Sequence, residues 1–106
     1  MFNEKSPEVK RFCELLEAQR RALYIMTYKP KHPELVNNAC TVTTKEGRKY
    51  INVDVGRSGY FMVVKETGEI FGIKAYGVIH RGHKYGTLAT INEWYWGNYS
   101  PQVVIL

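Results

Sequence analysis

The stretch Tyr50-Ile-Asn-Val-Asp-Val-Gly-Arg-Ser-Gly-Tyr-Phe-Met-Val-Val-Lys65 decides the fold, because its first half alternates apolar and polar side chains. Such alternation places three aliphatic residues on one face of a strand and three polar residues on the other. These are Ile51, Val53 and Val55 against Tyr50, Asn52 and Asp54. Gly56-Arg57-Ser58-Gly59 predicts a turn, after which Tyr60–Lys65 returns as the next strand. The two strands predict an antiparallel sheet with one apolar face.

Two further strands are predicted on either side of this pair. Cys40–Thr44 precedes it and is joined to it by the turn Lys45-Glu46-Gly47. Glu69–Ile73 follows it after the turn Glu66-Thr67-Gly68. Since connections this short join neighbouring strands, residues 40–73 predict an up-and-down antiparallel meander.

An amphipathic helix is predicted ahead of the meander, from about residue 7 to about residue 26. Ser6 is suited to cap it, Pro7 to begin it and Glu8 to occupy its first turn. Apolar residues then recur at helical spacings, which places them on one stripe. They are Val9, Phe12, Leu16, Leu23 and Met26. Because this helix is the predicted element able to cover the apolar face of the sheet, the fold class is α+β.

The chain after the meander divides into two segments. Residues 74–86 combine glycine, histidine and basic residues and predict a basic loop, in which Val78-Ile79 is able to add a short fifth strand. In the aromatic segment 87–106, Thr87 is suited to cap a short C-terminal helix, and Val103–Leu106 predicts an edge strand. The 106 residues fit a single domain.

Composition and charge narrow the setting and the partners. The net charge of +5 is concentrated between residues 40 and 86, which favours a polyanionic partner such as nucleic acid. Cys13 and Cys40 are too few for a disulfide framework and are expected to be reduced and packed. The sequence shows no signal peptide and no apolar run long enough to span a bilayer. We therefore expect a soluble cytoplasmic protein with no membrane partner.

The basic loop and the hairpin ends form the candidate nucleic-acid site. Glycines let backbone amides approach an anion, cations neutralise phosphate, and tyrosines stack on bases. The candidate residues are Arg48, Lys49, Arg57, Lys74, Tyr76, His80, Arg81, His83, Lys84 and Tyr85. The alternative is a polar connector whose glycines only satisfy the backbone geometry.

The pair His80 and His83 does not predict a metal centre. Zinc needs three or four ligands, and neither cysteine nor acid stands nearby in the sequence to supply the others. Asp54 or Glu93 with one of these histidines would make an acid–base pair, although no spacing requires it. Because no known catalytic motif is present, the sequence indicates no reaction and no cofactor.

The C-terminal aromatic cluster Trp94-Tyr95-Trp96 with Tyr99 offers a second candidate surface. These rings cannot all face one core, so part of the cluster is expected at the surface. Trp94, Trp96 and Tyr99 are therefore candidate protein-contact residues. The alternative is that they cap an open end of the sheet.

Residues 48–74 resemble a class of small bacteriophage proteins of unknown function. The resemblance rests on Arg48-Lys49-Tyr50-Ile51, Gly59-Tyr60-Phe61-Met62-Val63 and Thr67-Gly68-Glu69-Ile70-Phe71, followed by Lys74. It implies a phage or mobile-element origin and hence the host cytoplasm. It transfers no catalytic or binding residue.

Three functions remain open from the sequence. The leading hypothesis is a non-enzymatic accessory protein that binds nucleic acid through the basic loop. The first alternative is an inhibitor or assembly factor that binds an acidic host protein or acts within the virion. The second is a small metal-dependent nuclease. Each hypothesis allows a homo-oligomer formed through an edge strand.

Overall fold

The computed structural model describes residues 1–104 and confirms the α+β fold. Its helices are α1 (Pro7–Tyr28), α2 (Pro33–Cys40) and a short 3₁₀ helix (Leu88–Glu93). Its strands are β1 (Val42–Glu46), β2 (Tyr50–Val55), β3 (Ser58–Val64), β4 (Glu69–Ala75), β5 (Val78–Thr87), β6 (Trp94–Tyr95) and β7 (Gln102–Val103). The first five strands form one antiparallel sheet in chain order, as the alternation within β2 and the short turns predict.

The N-terminal half of α1 packs on the sheet. Val9, Phe12 and Leu16 are fully buried, and Phe12 makes edge contacts with Phe61 of β3 and with Trp96. The predicted apolar stripe holds only for this half, since Met26 is 68% exposed. The reason is that the last turns of α1 lie beside α2 rather than over the sheet.

The segment Pro33–Cys40 forms a second helix, α2. Pro33 at the first turn is compatible with a helix start because its missing N–H has no partner in that position. Val36 and Cys40, one turn apart, are buried. Their burial fixes α2 beside the end of α1 and gives this short helix its stability.

The sheet has two distinct faces. The side chains of Ile51, Val53, Val63 and Ile70 on the helix side belong to the core beneath α1. On the opposite side, which we call the outer face, the register aligns Asn52 with Met62, Met62 with Phe71, and Phe71 with Lys84.

A bulge in β3 places Tyr60 on the helix side. Val53 pairs with Phe61 and Asp54 pairs with Gly59, so Tyr60 has no partner in β2. An extra residue of this kind disrupts the alternation and redirects a side chain. The ring of Tyr60 accordingly lies 4.5 Å from the guanidinium carbon of Arg20 on α1.

The prediction of a loop at residues 74–86 is wrong, because most of this segment forms β5. Gly77, with a φ of 77°, allows a tight turn between β4 and β5. The strand contains a large bulge: Gly72 pairs with His80, but the preceding Phe71 pairs with Lys84. Three residues of β5, Arg81-Gly82-His83, therefore have no opposing residue in β4.

The short C-terminal helix that the sequence predicts after Thr87 is present. It is a 3₁₀ helix ending at Glu93, and Thr87 caps it by accepting a hydrogen bond from the Ala89 amide at 3.2 Å. Trp94 instead begins β6, which pairs with β7 through Val103. The predicted edge strand thus includes Val103, while Ile105 and Leu106 lie outside the described residues.

Candidate functional site

The outer face of the sheet carries the arrangement best suited to binding. Arg81, at the start of the β5 bulge, donates a hydrogen bond of 2.9 Å from Nη2 to the hydroxyl of Tyr50 on β2. Since β3 and β4 separate β5 from β2, the Arg81 and Tyr50 side chains together span these two strands. Met62 and Phe71 lie on those strands and face the same way, yet they are only 3% and 6% exposed. The Arg81 stem and the Tyr50 ring are therefore both placed to cover this apolar surface, while the guanidinium lies on the outer face.

Tyr76 supplies a second ring at the far end of this face. Its hydroxyl donates a 3.3 Å hydrogen bond to Oδ2 of Asp54, and the residue is 57% exposed. The absence of a side chain at Gly59 leaves room for the Tyr76 ring, because a Cβ at Gly59 would lie 2.9 Å from that ring. The negative charge of Asp54, followed by partial burial, raises the pKa of the Tyr76 hydroxyl. Tyr76 is thus neutral, held at one edge and open to a stacking partner.

Lys84 also faces outward, but its charge is matched by an acid. Its Nζ lies 2.7 Å from Oε2 of Glu69. The pKa of Glu69 is lowered by this hydrogen bond first and by the Thr67 hydroxyl second. The other five predicted cations form no ion pair with any residue between 1 and 104; they are Arg48, Lys49, Arg57, Lys74 and Arg81.

The predicted cations do not form one cluster. Arg48 and Lys49 lie in the turn before β2, whereas Arg57 lies in the turn after it. A six-residue strand separates these turns by about 20 Å, at about 3.3 Å per residue. Lys74, near the end of β4, lies at the same end of the sheet as Arg57. The charges therefore occupy both ends of the sheet, with Arg81 between them.

Strand alternation separates the histidines from the outer face. His80 pairs with Gly72, which pairs with Phe61 of the core, so His80 belongs to the helix side. The rings of His80 and His83 stack with centroids 4.0 Å apart and planes at 10°. They border a small cavity of about 180 Å³ together with Tyr85.

Tyr85 is part of the aromatic core rather than an exposed stacking platform. Its ring makes edge contacts with Phe61, Trp94 and Trp96. Burial, followed by the neighbouring Tyr99, raises the pKa of its hydroxyl. Of the segment predicted to act as one basic loop, Tyr76, Arg81 and Lys84 face outward, while His80, His83 and Tyr85 do not.

Trp96 is not a protein-contact residue, which corrects the sequence interpretation. It is fully buried, and its indole N–H donates to the Ile91 carbonyl at 3.0 Å. Trp94 is half-buried against Tyr85 and Trp96. Tyr99 is 79% exposed and touches the edge of Tyr60. Tyr99 is therefore the member of the predicted contact set most available to a partner.

Sequence reasoning missed Tyr50 as a candidate, although the signal was present. The period of two placed Tyr50 on the polar face of β2 with Asn52 and Asp54. Nothing local in the sequence indicated that Arg81 would reach it from 31 residues away.

No group of three or more His, Cys, Asp or Glu side chains within residues 1–104 is arranged to hold a metal ion. Across the same residues, no helix has the length and apolar character needed to cross a membrane.

Comparison with protein-family models, with curated proteins and with solved structures finds no match to this chain.

Proposed function

We propose that this protein binds single-stranded nucleic acid on the outer face of its sheet. The observation that carries the proposal is the guanidinium of Arg81, held over the open face by Tyr50 and without an acidic partner in residues 1–104. The proposed role is that of a non-enzymatic accessory protein, and the resemblance of residues 48–74 implies that its origin is a phage or mobile element.

An exposed sheet is a suitable platform for single strands. Bases that are not paired expose their ring faces, and aromatic side chains on a sheet stack on them without sequence preference. Tyr50 and Tyr76 lie on the same face of the sheet, near its opposite ends. Asn52 lies between them in β2 and adds a donor and an acceptor for a base edge.

The distribution of cations suits an extended nucleic-acid strand better than a compact anion. Arg48 and Lys49 lie at one end of the sheet, Arg81 on its face, and Arg57 and Lys74 at the other end. A backbone that follows β2 would meet these charges one after another. Each contact releases condensed counterions, so binding should weaken as salt is added.

The proposal is tested by fluorescence anisotropy with labelled oligo-dT, oligo-rU and a duplex of the same length. With about four phosphate contacts, the affinity for single strands should fall about 50-fold between about 50 and 200 mM salt. A duplex should bind more weakly, because its bases are not open to stacking. Failure to bind any probe at about 50 mM salt would remove the proposal.

Arg81→Gln and Arg11→Gln form a matched pair for this test. Both remove one positive charge, but Arg11 is an exposed residue of α1, and α1 packs on the opposite side of the sheet. We expect Arg81→Gln to weaken binding and reduce the salt slope, and Arg11→Gln to change neither. Equal effects of the two changes would mean that only net charge matters and that the outer face is not the site.

A second candidate function, binding an acidic protein, is favoured by one surface feature. Several apolar side chains near the junction of α1 and α2 are exposed: Ile25, Met26 and Tyr28 at the end of α1, and Leu35 in α2. Lys29 and Lys31 lie in the connection between the two helices. Apolar surface beside cations is typical of a protein contact, and here it suits a partner with acidic residues. A stoichiometric partner retained from host lysate after nuclease treatment, and lost in Met26→Ser, would support this function.

A further inference from the structure

The bulge in β5 is closed by two stacked histidine rings, which we call the histidine stack. His80 precedes the three unpaired residues Arg81-Gly82-His83, and its ring lies on that of His83 with centroids 4.0 Å apart and planes at 10°. In a regular strand, side chains three residues apart lie on opposite faces. The bulge brings these two together, so their contact closes the backbone segment that carries Arg81.

Gly82 joins the histidine stack to this segment of backbone. A Cβ at Gly82 would lie 3.1 Å from Cε1 of His80, so the backbone of the bulge lies directly against the His80 ring. The preceding residue, Arg81, donates its 2.9 Å hydrogen bond to Tyr50 on the outer face. A change in the position of the His80 ring therefore moves the backbone next to Arg81.

The surroundings of the histidine stack do not offset positive charge. Nδ1 of His80 is buried and has no hydrogen-bond partner within residues 1–104, so a proton there would be a buried donor without an acceptor. The adjacent cavity is lined by no acid, and its other titratable groups are tyrosines, which stay neutral where histidine titrates. They are Tyr60, Tyr85 and Tyr99. The neighbouring charges along β5 are Arg81 and Lys84, of which Lys84 is paired with Glu69.

We infer that the histidine stack holds Arg81 in place and releases it on acidification, an inference that rests on the proposed function of the outer face. Neutral rings stack and close the bulge, and a first proton leaves only one ring charged. A second proton places two like charges in contacting rings, with no acid in the cavity to offset them. The rings then separate, the bulge opens and Arg81 leaves Tyr50.

Histidine is the side chain that ordinarily changes charge between about pH 5 and 8. His80 and His83 are thus positioning residues for the cation at the centre of the outer face. They lie on the other side of β5 from the proposed nucleic-acid strand and control it through the backbone between them.

NMR relaxation of backbone ¹⁵N in the free protein tests the histidine stack without any nucleic acid. We expect the order parameters of the Arg81 and Gly82 amides to fall from about 0.85 at about pH 7.5 to below about 0.6 at about pH 5. His83→Phe replaces an exposed titratable ring by one that stacks but takes no proton. In this variant both amides should stay ordered at both pH values.

The matched control is His32→Phe, which removes an exposed histidine at the start of α2. It should open at low pH like the original chain.

Binding of labelled oligo-dT tests the link to the outer face. Arg81→Gln should raise the dissociation constant about fivefold at about pH 7.5 and leave it nearly unchanged at about pH 5, where Arg81 is already released. In the His83→Phe background the same replacement should raise it about fivefold at both pH values. Any attraction of imidazolium for phosphate is common to the two proteins of each comparison and cancels.

Three results would each overturn the inference. The first is equal order of the Arg81 and Gly82 amides at both pH values. The second is a His83→Phe protein whose bulge becomes mobile at the lower pH, and the third is an effect of Arg81→Gln on oligo-dT binding that does not change with pH. Absence of oligo-dT binding at both pH values would instead remove the proposed function, while the relaxation measurement still decides whether the histidine stack responds to protons.

Discussion

Arg81 is placed both to cover apolar surface and to present a charge. With Tyr50, which holds its guanidinium, it spans the strands that carry Met62 and Phe71. Truncation to alanine would therefore expose apolar surface as well as remove a charge. For this reason glutamine, which keeps part of the stem, is the more informative replacement.

Cys13 links stability to alkaline pH. Burial, followed by the charges of Glu14 and Glu17, raises the pKa of its thiol from 9.0 to about 11. The folded chain thus keeps a proton that the unfolded chain releases above about pH 9. The contribution of the Cys13 thiol to stability is fully present below the pKa that the thiol has in the unfolded chain. It is lost as the pH rises through the pKa that the thiol has in the folded chain. We expect the stability difference between the original chain and Cys13→Ala to shrink as the pH rises between these two values.

Urea unfolding of both proteins at about pH 8 and about pH 10.5 measures that difference. Other groups titrate in the same range, but they are common to both proteins and cancel. A difference that stays constant with pH would contradict the burial of the thiol. Iodoacetamide should accordingly modify Cys13 more slowly in the folded protein than in urea, because the thiolate is the reactive form.

At the scale of elements, β1 is an edge strand whose outer side is partly protected. The Gly47 N–H donates to the Tyr50 carbonyl, and the Thr41 carbonyl accepts from the Gly56 N–H. The odd-numbered residues of β1 therefore direct their backbone N–H and C=O groups toward β2. The even-numbered residues direct their N–H groups away from the sheet. The first of these, Val42, donates at 2.8 Å to Oε1 of Glu17, whose other oxygen pairs with Arg21.

Removal of this carboxylate should increase self-association. In Glu17→Ala the outer N–H of Val42 loses its acceptor, and an unprotected edge is a template for a second strand. We expect a loss of stability of about 1–2 kcal/mol and a dimer that grows with concentration in sedimentation analysis. A strictly monomeric Glu17→Ala protein at high concentration would contradict this role of Glu17.

Two further variants test whether the outer edge of β1 is the surface through which Glu17→Ala self-associates. Glu14→Ala removes a neighbouring exposed glutamate of α1 and should remain monomeric like the original chain. Adding Thr44→Pro to Glu17→Ala removes the next outward N–H, a change that edge strands tolerate. The double variant should therefore return to a monomer.

The elements also show where the sequence was informative. In β2 each residue faces the side that the period of two predicts, because the strand is regular and half-buried. The segment that forms β5 predicts a loop, because its bulge interrupts the alternation with Gly82 and adds residues that have no partner in β4. Periodicity detects regular strands, and a strand with a bulge of three residues loses most of that signal.

At the scale of the whole molecule, the sheet separates two surfaces of different chemistry. The outer face carries Tyr50, Tyr76 and Arg81, and the helix side carries a pocket lined in part by Tyr24, Tyr28 and Tyr60, the last of which lies under Arg20. The fold was predictable because helix and strand periods depend on neighbouring residues. Neither surface was predictable, since each depends on contacts between residues distant in sequence and on the bulges in β3 and β5.

The large bulge in β5 has a consequence for how this protein is able to vary. Arg81, Gly82 and His83 have no opposing residues in β4. A deletion or insertion among them therefore leaves the pairing of β4 with β5 intact on both sides of the bulge. Arg81 belongs to that segment, and its neighbours are therefore open to change in length while the framework stays constant. Related chains would then diverge first at the position that lies over the open face, which would alter what they recognise while their architecture is preserved.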